Sequence, residues 1–188
     1  MTALHAPARH RISADDFLNM ARAGILNEGD RIELIEGDLI DMAPIGSEHA
    51  SLTDWFTQTI VLAVGQQAIV RVQSSLFLDR HSQPQPDVQV LRAREDYYRK
   101  AHPRAGDVLL LIEVADTTAR FDREVKIPLY ARHGVSEAWL VDVAQRSVEV
   151  YRDPHPETSA YRQMTVYRQG RIIPERLPMV GIQMERLF

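Results

Sequence analysis

Cysteine is absent from the 188 residues, and lysine occurs only as Lys100 and Lys126. The first absence excludes disulfides and thiolate zinc sites. An excess of positive charge is also missing: 22 Lys and Arg face 26 Asp and Glu, for a net charge of −4. Such a chain does not coat nucleic acid by bulk electrostatics, although an enzyme can still meet nucleic acid along one local basic stripe. Long apolar runs are lacking too. The run from Leu109 to Val114 falls far short of the roughly 20 residues that span a bilayer. The opening Met-Thr-Ala-Leu-His-Ala-Pro has no signal-peptide core, so the expected compartment is the cytoplasm.

What is present is an ordinary hydrophobic fraction, 45%, in a chain long enough for a sizeable core. The expectation is a single domain over 1–188, with 1–11 as a loose arm. Ser13 is a good N-cap for a helix over 14–23, with Asp16 in its first turn. Residues 31–36 alternate, Gly37-Asp38 turns and 39–42 returns, which is a hairpin signal. Alternation puts Ile32, Leu34 and Glu36 on one face, and Arg31, Glu33 and Ile35 on the other. Ser47 is placed to cap a second helix running to about Gly65, with Leu52, Trp55, Phe56 and Ile60 at helical spacing and His49 in its first turn.

Strands are expected over 68–73, 76–78, 87–91 and 107–115, and a charged, partly helical loop over 92–106. A helix over 120–132 follows, ended by Gly134. Pro128 is discordant within it and predicts a kink or a later start. Strands over 138–142 and 148–151, an exposed loop over 153–159 with two prolines, and terminal strands over 161–167 and 171–173 complete the pattern, a mixed α/β core. Arg92, Arg94, Arg99 and Lys100 form one candidate basic cluster, and Arg120 and Arg123 another; a solvated surface is the ordinary reading of each.

Two carboxylates stand out against this background. In Pro86-Asp87-Val88-Gln89-Val90, Asp87 and Gln89 point away from the face that Val88 and Val90 share. Glu113 follows four consecutive aliphatics, where an unpaired charge is costly. Paired carboxylates on adjacent strands suit a hard cation such as magnesium or manganese. Lys126, with Asp122 and Tyr130 four residues to either side, could hold an attacking water, or it could simply pair with Asp122 on the surface.

These residues resemble the PD-(D/E)XK nuclease superfamily and, within it, the Uma-two-like restriction endonuclease family. The matching pieces are Arg31-Ile-Glu-Leu-Ile-Glu-Gly37, Pro44 with His49, Pro86-Asp87-Val88, Leu111-Ile-Glu-Val114, Asp122 with Lys126 and Tyr130, and Gly134-Val-Ser-Glu-Ala-Trp-Leu-Val-Asp142. The resemblance implies a restriction-endonuclease-like fold, a mixed β-sheet flanked by helices. It also implies a divalent metal, Mg2+ or Mn2+, and hydrolysis of phosphodiester bonds. By position, Asp87 and Glu113 would bind metal, Glu33 would complete the acidic cluster facing inward, and Lys126 would be the catalytic lysine. One departure stands: the pattern's lysine position, two residues after Glu113, is Ala115. The leading expectation is a DNA endonuclease working as a homodimer, one strand per subunit. Two alternatives remain open here: a catalytically silent binding or assembly module, and a core in which both carboxylates only satisfy backbone and arginine donors.

Overall fold

The computed structural model describes residues 9–27 and 29–188. Part of the expected arm, residues 1–8, lies outside the described residues. Arg9 to Arg11 carry no regular structure. The chain divides into two compact units, one holding the described residues up to Met42 with Phe77–Pro84, the other Ala43–Leu76 with Gln85–Phe188.

In the first unit, α1 (Ala14–Arg22) begins on Ser13 as expected. The Asp16 N–H donates to Ser13 Oγ (3.1 Å) and the Ser13 N–H donates back to Asp16 Oδ2 (3.2 Å). This reciprocal box satisfies two donors that a helix start leaves unpaired. Strands β1 (Ile32–Ile35) and β2 (Asp38–Asp41) pair antiparallel, with Ile35 opposite Asp38. The turn is therefore Glu36-Gly37 and not Gly37-Asp38. Both loop residues have left-handed φ, 51° and 88°, as a two-residue hairpin loop requires. A Cβ on Gly37 would also sit 2.6 Å from the Arg11 Cβ, so glycine is needed twice over.

The second unit is built on six strands: β3 (Ala68–Val72), β4 (Val88–Arg92), β5 (Val108–Ala115), β6 (Glu137–Asp142), β7 (Ser147–His155) and β8 (Ala160–Tyr167), in that spatial order. All neighbours are antiparallel except β5 and β6. A parallel pair needs a crossover, and the helical stretch 119–132 provides it. Helix α2 (Ser47–Val64) buries Leu52, Phe56, Ile60 and Val64 against Val88, Val90, Leu110, Ile112, Val114, Trp139 and Val141. Its N-cap is Gly46 and not Ser47, which is the first helical residue. By alternation, Asp87, Gln89, Glu113, Ala115 and Leu140 belong to the opposite side of the sheet.

The discordant proline is resolved locally. The stretch 119–132 runs as α3 (Ala119–Phe121), a π-helical turn over Asp122–Lys126, then α4 (Ile127–Arg132). Pro128 thereby falls in the first turn of α4, where no intrahelical donor is required of it. The widened turn absorbs what a regular helix would have expressed as a kink.

Other expectations need correcting. No strand forms over 76–78; the chain turns out of β3 at Gln73, whose φ is 43°. The loop 92–106 contains no α-helix, only a short 3-10 turn at Ala105–Asp107. Strand β7 runs on to His155, into the first part of the loop expected over 153–159, and a 3-10 turn at Pro156–Thr158 takes up most of the rest. Proline is tolerated at 154 because β6 pairs with β7 only as far as Arg152. A final pair, β9 (Arg171–Ile172) with β10 (Ile182–Gln183), packs Ile172 and Ile182 into the α2-side core, and the sequence reading foresaw only the first of them.

Candidate active site

Asp87 immediately precedes β4, and Glu113 is the sixth residue of β5, the next strand. Both are buried. The backbone knits them together: the Val114 N–H donates to Asp87 Oδ2 (2.9 Å), and the Asp87 N–H lies 3.4 Å from Glu113 Oε2. Alternation alone puts the two side chains on one side of the sheet; the antiparallel register, Val88 opposite Ile112, puts them side by side.

Lys126 completes the group from above the sheet. Its Nζ lies 3.3 Å from Glu113 Oε1 and 4.0 Å from Asp122 Oδ1, and the residue is only 5% exposed. It is therefore not a surface lysine paired with Asp122. The Tyr130 hydroxyl donates to the same Glu113 Oε1 at 2.5 Å. On the far side of Asp122, the Thr118 hydroxyl donates to its Oδ2 (2.6 Å). The helical stretch thus brings an amine and a phenol to one carboxylate. A glutamate buried without such partners would cost several kcal/mol, which is the physical reason for the arrangement whatever its chemistry.

Asp87 has its own retinue. His49 Nε2 lies 3.0 Å from Asp87 Oδ1, and the Gln73 side-chain N–H donates to the same oxygen at 3.1 Å. Burial alone would raise the Asp87 carboxyl. The hydrogen bond and charge of His49, with the Val114 and Gln73 donors, outweigh burial and hold it below the usual carboxylate value. Sequence places His49 in the first turn of α2 and among the family-like pieces without giving it a role, and it assigns none to Gln73. The signal for Gln73 was slight, a polar residue ending an apolar strand; its role arises because the backbone there turns left-handed.

Glu33 belongs to the first unit. It is buried on β1 opposite Ile40. Ala115, two residues after Glu113, is fully buried.

The donor set fits a small hard cation in chemistry. Two carboxylates are what magnesium commonly takes from a protein, with water and substrate phosphate filling the remaining positions. Among the described residues, no group of three or more His, Asp or Glu side chains is arranged to hold a metal ion by itself.

Residues 14–185 match the family described as Uma2, "putative restriction endonuclease". The chain belongs to the Uma2 family. No curated protein matches it in sequence. Among solved structures it is similar to the crystal structure of "a putative nuclease belonging to DUF820" from Anabaena variabilis ATCC 29413. The identity is 19% over 94% of this chain and 97% of that one, with a TM-score of 0.72. At that identity the likeness establishes the fold, a six-stranded mixed sheet flanked by helices as in that structure. No helix among the described residues is long and apolar enough to cross a membrane.

Proposed function

We propose that this Uma2 protein is a metal-dependent endonuclease that hydrolyses phosphodiester bonds in DNA. The observation that carries the reading is Lys126 Nζ, buried and 3.3 Å from Glu113 Oε1, although the strand position that usually holds the lysine is Ala115. The amine reaches the acidic pair from the helix instead of the strand.

Asp87 and Glu113 would hold Mg2+ or Mn2+. When bound, such an ion polarises a phosphoryl oxygen and lowers the pKa of a water ligand. The chain's own groups do the rest. His49, Gln73 and the Val114 N–H orient Asp87. Tyr130 orients Glu113 and leaves its second oxygen turned toward Asp87. Lys126 holds a positive charge beside the carboxylates, where it can steady an attacking water and offset the negative charge that builds on phosphorus. A bond forms between water oxygen and phosphorus, one P–O ester bond breaks, and the departing oxygen takes a proton. Cutting both strands of a duplex calls for two such sites, hence a homodimer. The family resemblance gives Glu33 the role of a further acidic ligand.

Plasmid DNA with Mg2+ or Mn2+ tests this directly. Nicking or linearisation by the wild type should vanish in Asp87→Ala, Glu113→Ala and Lys126→Met. A wild-type protein that leaves DNA and RNA intact under all divalent conditions sinks the proposal.

A second reading has its own support. Every carboxylate oxygen of the pair already faces a protein donor: His49 and Gln73 on Asp87 Oδ1, Val114 on Oδ2, Tyr130 and Lys126 on Glu113 Oε1, Asp87 N–H on Oε2. A self-satisfied cluster is what a catalytically silent binding or assembly module would keep. Calorimetric titration with Mn2+ separates the two: binding that Asp87→Ala abolishes favours the enzyme, and no heat at all favours the silent module.

A further inference from the structure

The stretch from the end of β4 into the following loop is locally basic in an acidic protein. Residues 92–104 carry five positive side chains, Arg92, Arg94, Arg99, Lys100 and Arg104, against Glu95 and Asp96, a formal +3 in a chain of −4. All five are exposed. Arg94 is engaged by Asp96, at 2.9 Å. Arg99 and Lys100 pair with no carboxylate among the described residues.

Within this loop two consecutive tyrosines hold left-handed backbone, φ 49° at Tyr97 and 58° at Tyr98. Neither is a residue that tolerates this conformation cheaply, and strain of this kind persists only where the surroundings impose it. Here the surroundings are visible. Tyr98 is buried, its hydroxyl donates to the Arg92 carbonyl (2.9 Å), and its ring lies under the guanidinium groups of Arg94 (4.4 Å to the centroid) and Arg71 (5.4 Å). Arg71 also donates to the Tyr97 carbonyl at 2.8 Å. With Tyr98 anchored, Tyr97 is held out with 69% of its surface exposed. Beside it is a groove of about 630 Å³ walled by Val61, Val64 and Val70, with Arg94, Glu95 and Tyr97 at its polar side.

An exposed aromatic plate, an aliphatic wall, polar groups and adjacent free cations are the components with which proteins hold unpaired nucleotides: stacking for the base, positive charge for the backbone. We infer that the Arg92–Arg104 loop and its groove form an accessory site for single-stranded nucleic acid, in which an unpaired base stacks on Tyr97 and the strand's phosphates meet Arg99 and Lys100. The site is distinct from the acidic cluster. Asp87 lies just before the start of β4 and Arg92 at its end, five residues or roughly 16 Å of extended chain apart. The inference rests on nucleic acid being this protein's substrate, and it names a strand with unpaired bases as the form engaged away from the cutting site.

The test is fluorescence anisotropy in EDTA, so that binding is read without cleavage, using a labelled thymidine 12-mer and a blunt hairpin of equal charge. The wild type should bind the unpaired 12-mer more tightly than the hairpin. Tyr97→Ala should weaken the 12-mer about tenfold while Tyr97→Trp retains it. The Arg99→Gln/Lys100→Gln protein should show a salt dependence shallower by about 1.4 in log–log slope. Asp87→Ala should bind like the wild type, so loss of cleavage and loss of this site are read separately. Equal binding of hairpin and 12-mer, indifference to Tyr97→Ala, or displacement by poly-glutamate as readily as by unlabelled 12-mer would each overturn the assignment. So would displacement by thymidine monophosphate at the 12-mer's own concentration, which would make the ligand a free nucleotide.

Discussion

Lys126 and Arg123 stand three residues apart on one π-helical turn and reach in different directions. Lys126 Nζ lies 3.3 Å from Glu113 on β5; Arg123 Nη2 lies 2.6 Å from Glu149 on β7 and 3.1 Å from Asp142 on β6. The guanidinium is thus a clamp that fixes the turn presenting the amine, and its own hydrogen bonds to Glu149 and Asp142 hold its pKa up. The Tyr151 hydroxyl donates to Glu149 as well, and burial together with that carboxylate raises the phenol.

Loosening the clamp should therefore disturb Lys126 without touching it. Arg123→Met is expected to destabilise the protein by at least about 1–3 kcal/mol: the guanidinium is 40% exposed, but its partners Asp142 and Glu149 are buried and would lose a charged donor. If the protein is a nuclease, cleavage should slow about tenfold in kcat with KM unchanged, and Arg123→Lys should restore only part of it, lacking the fork. A kcat equal to the wild type's would remove Arg123 from any positioning role.

The Lys126–Glu113 pair should behave as a coupled unit in urea denaturation. Lys126→Met leaves a buried carboxylate without its ammonium and should cost about 3–5 kcal/mol. Adding Glu113→Gln should recover much of that loss, giving a coupling energy of at least about 1 kcal/mol in the double-mutant cycle. Additive effects would mean the two groups do not interact.

Returning the lysine to the strand should fail. Ala115 is fully buried, so Ala115→Lys must place three further methylenes and an amine inside the packed interior. A loss of at least about 1–3 kcal/mol is expected from overpacking alone. The Ala115→Lys/Lys126→Met protein should regain no cleavage. Restored activity there would show the two lysine positions to be interchangeable.

In the first unit, the capping box makes a pH prediction. Hydrogen bonds from the Ser13 hydroxyl and N–H, largest first, hold the Asp16 carboxyl below its ordinary 3.8. A folded-state value below the unfolded one means the contribution is complete above about pH 4 and is lost as pH falls through the lower folded value. Amide NMR shifts at the start of α1 should report this between pH 5 and 2, and Asp16→Asn should flatten the titration.

Much of the sheet was legible because its signals are local. The aliphatic run of β5, the alternation around Asp87 and the amphipathic face of α2 each follow from the geometry of a single strand or helix. The failures are equally physical. Glu36-Gly37 replaced Gly37-Asp38 because the choice of turn depends on strand register, a property of two segments. Strand β7 ran past Pro154 because its pairing with β6 stops at Arg152, a limit set by two segments together.

From its residues alone this chain determined an α/β fold and two carboxylates set in apolar strand segments, since these are matters of covalent order and period; that Ala115 stands where a lysine is expected is what the family resemblance adds. Tertiary structure decided which side chains answer them. A parallel crossover from β5 to β6 laid a helix over the sheet, a π-turn accommodated Pro128, and Lys126 and Tyr130 met Glu113 while His49 and Gln73 met Asp87. Those meetings join residues 13 to 38 positions apart, and no local period encodes a distance that only a closed core can enforce.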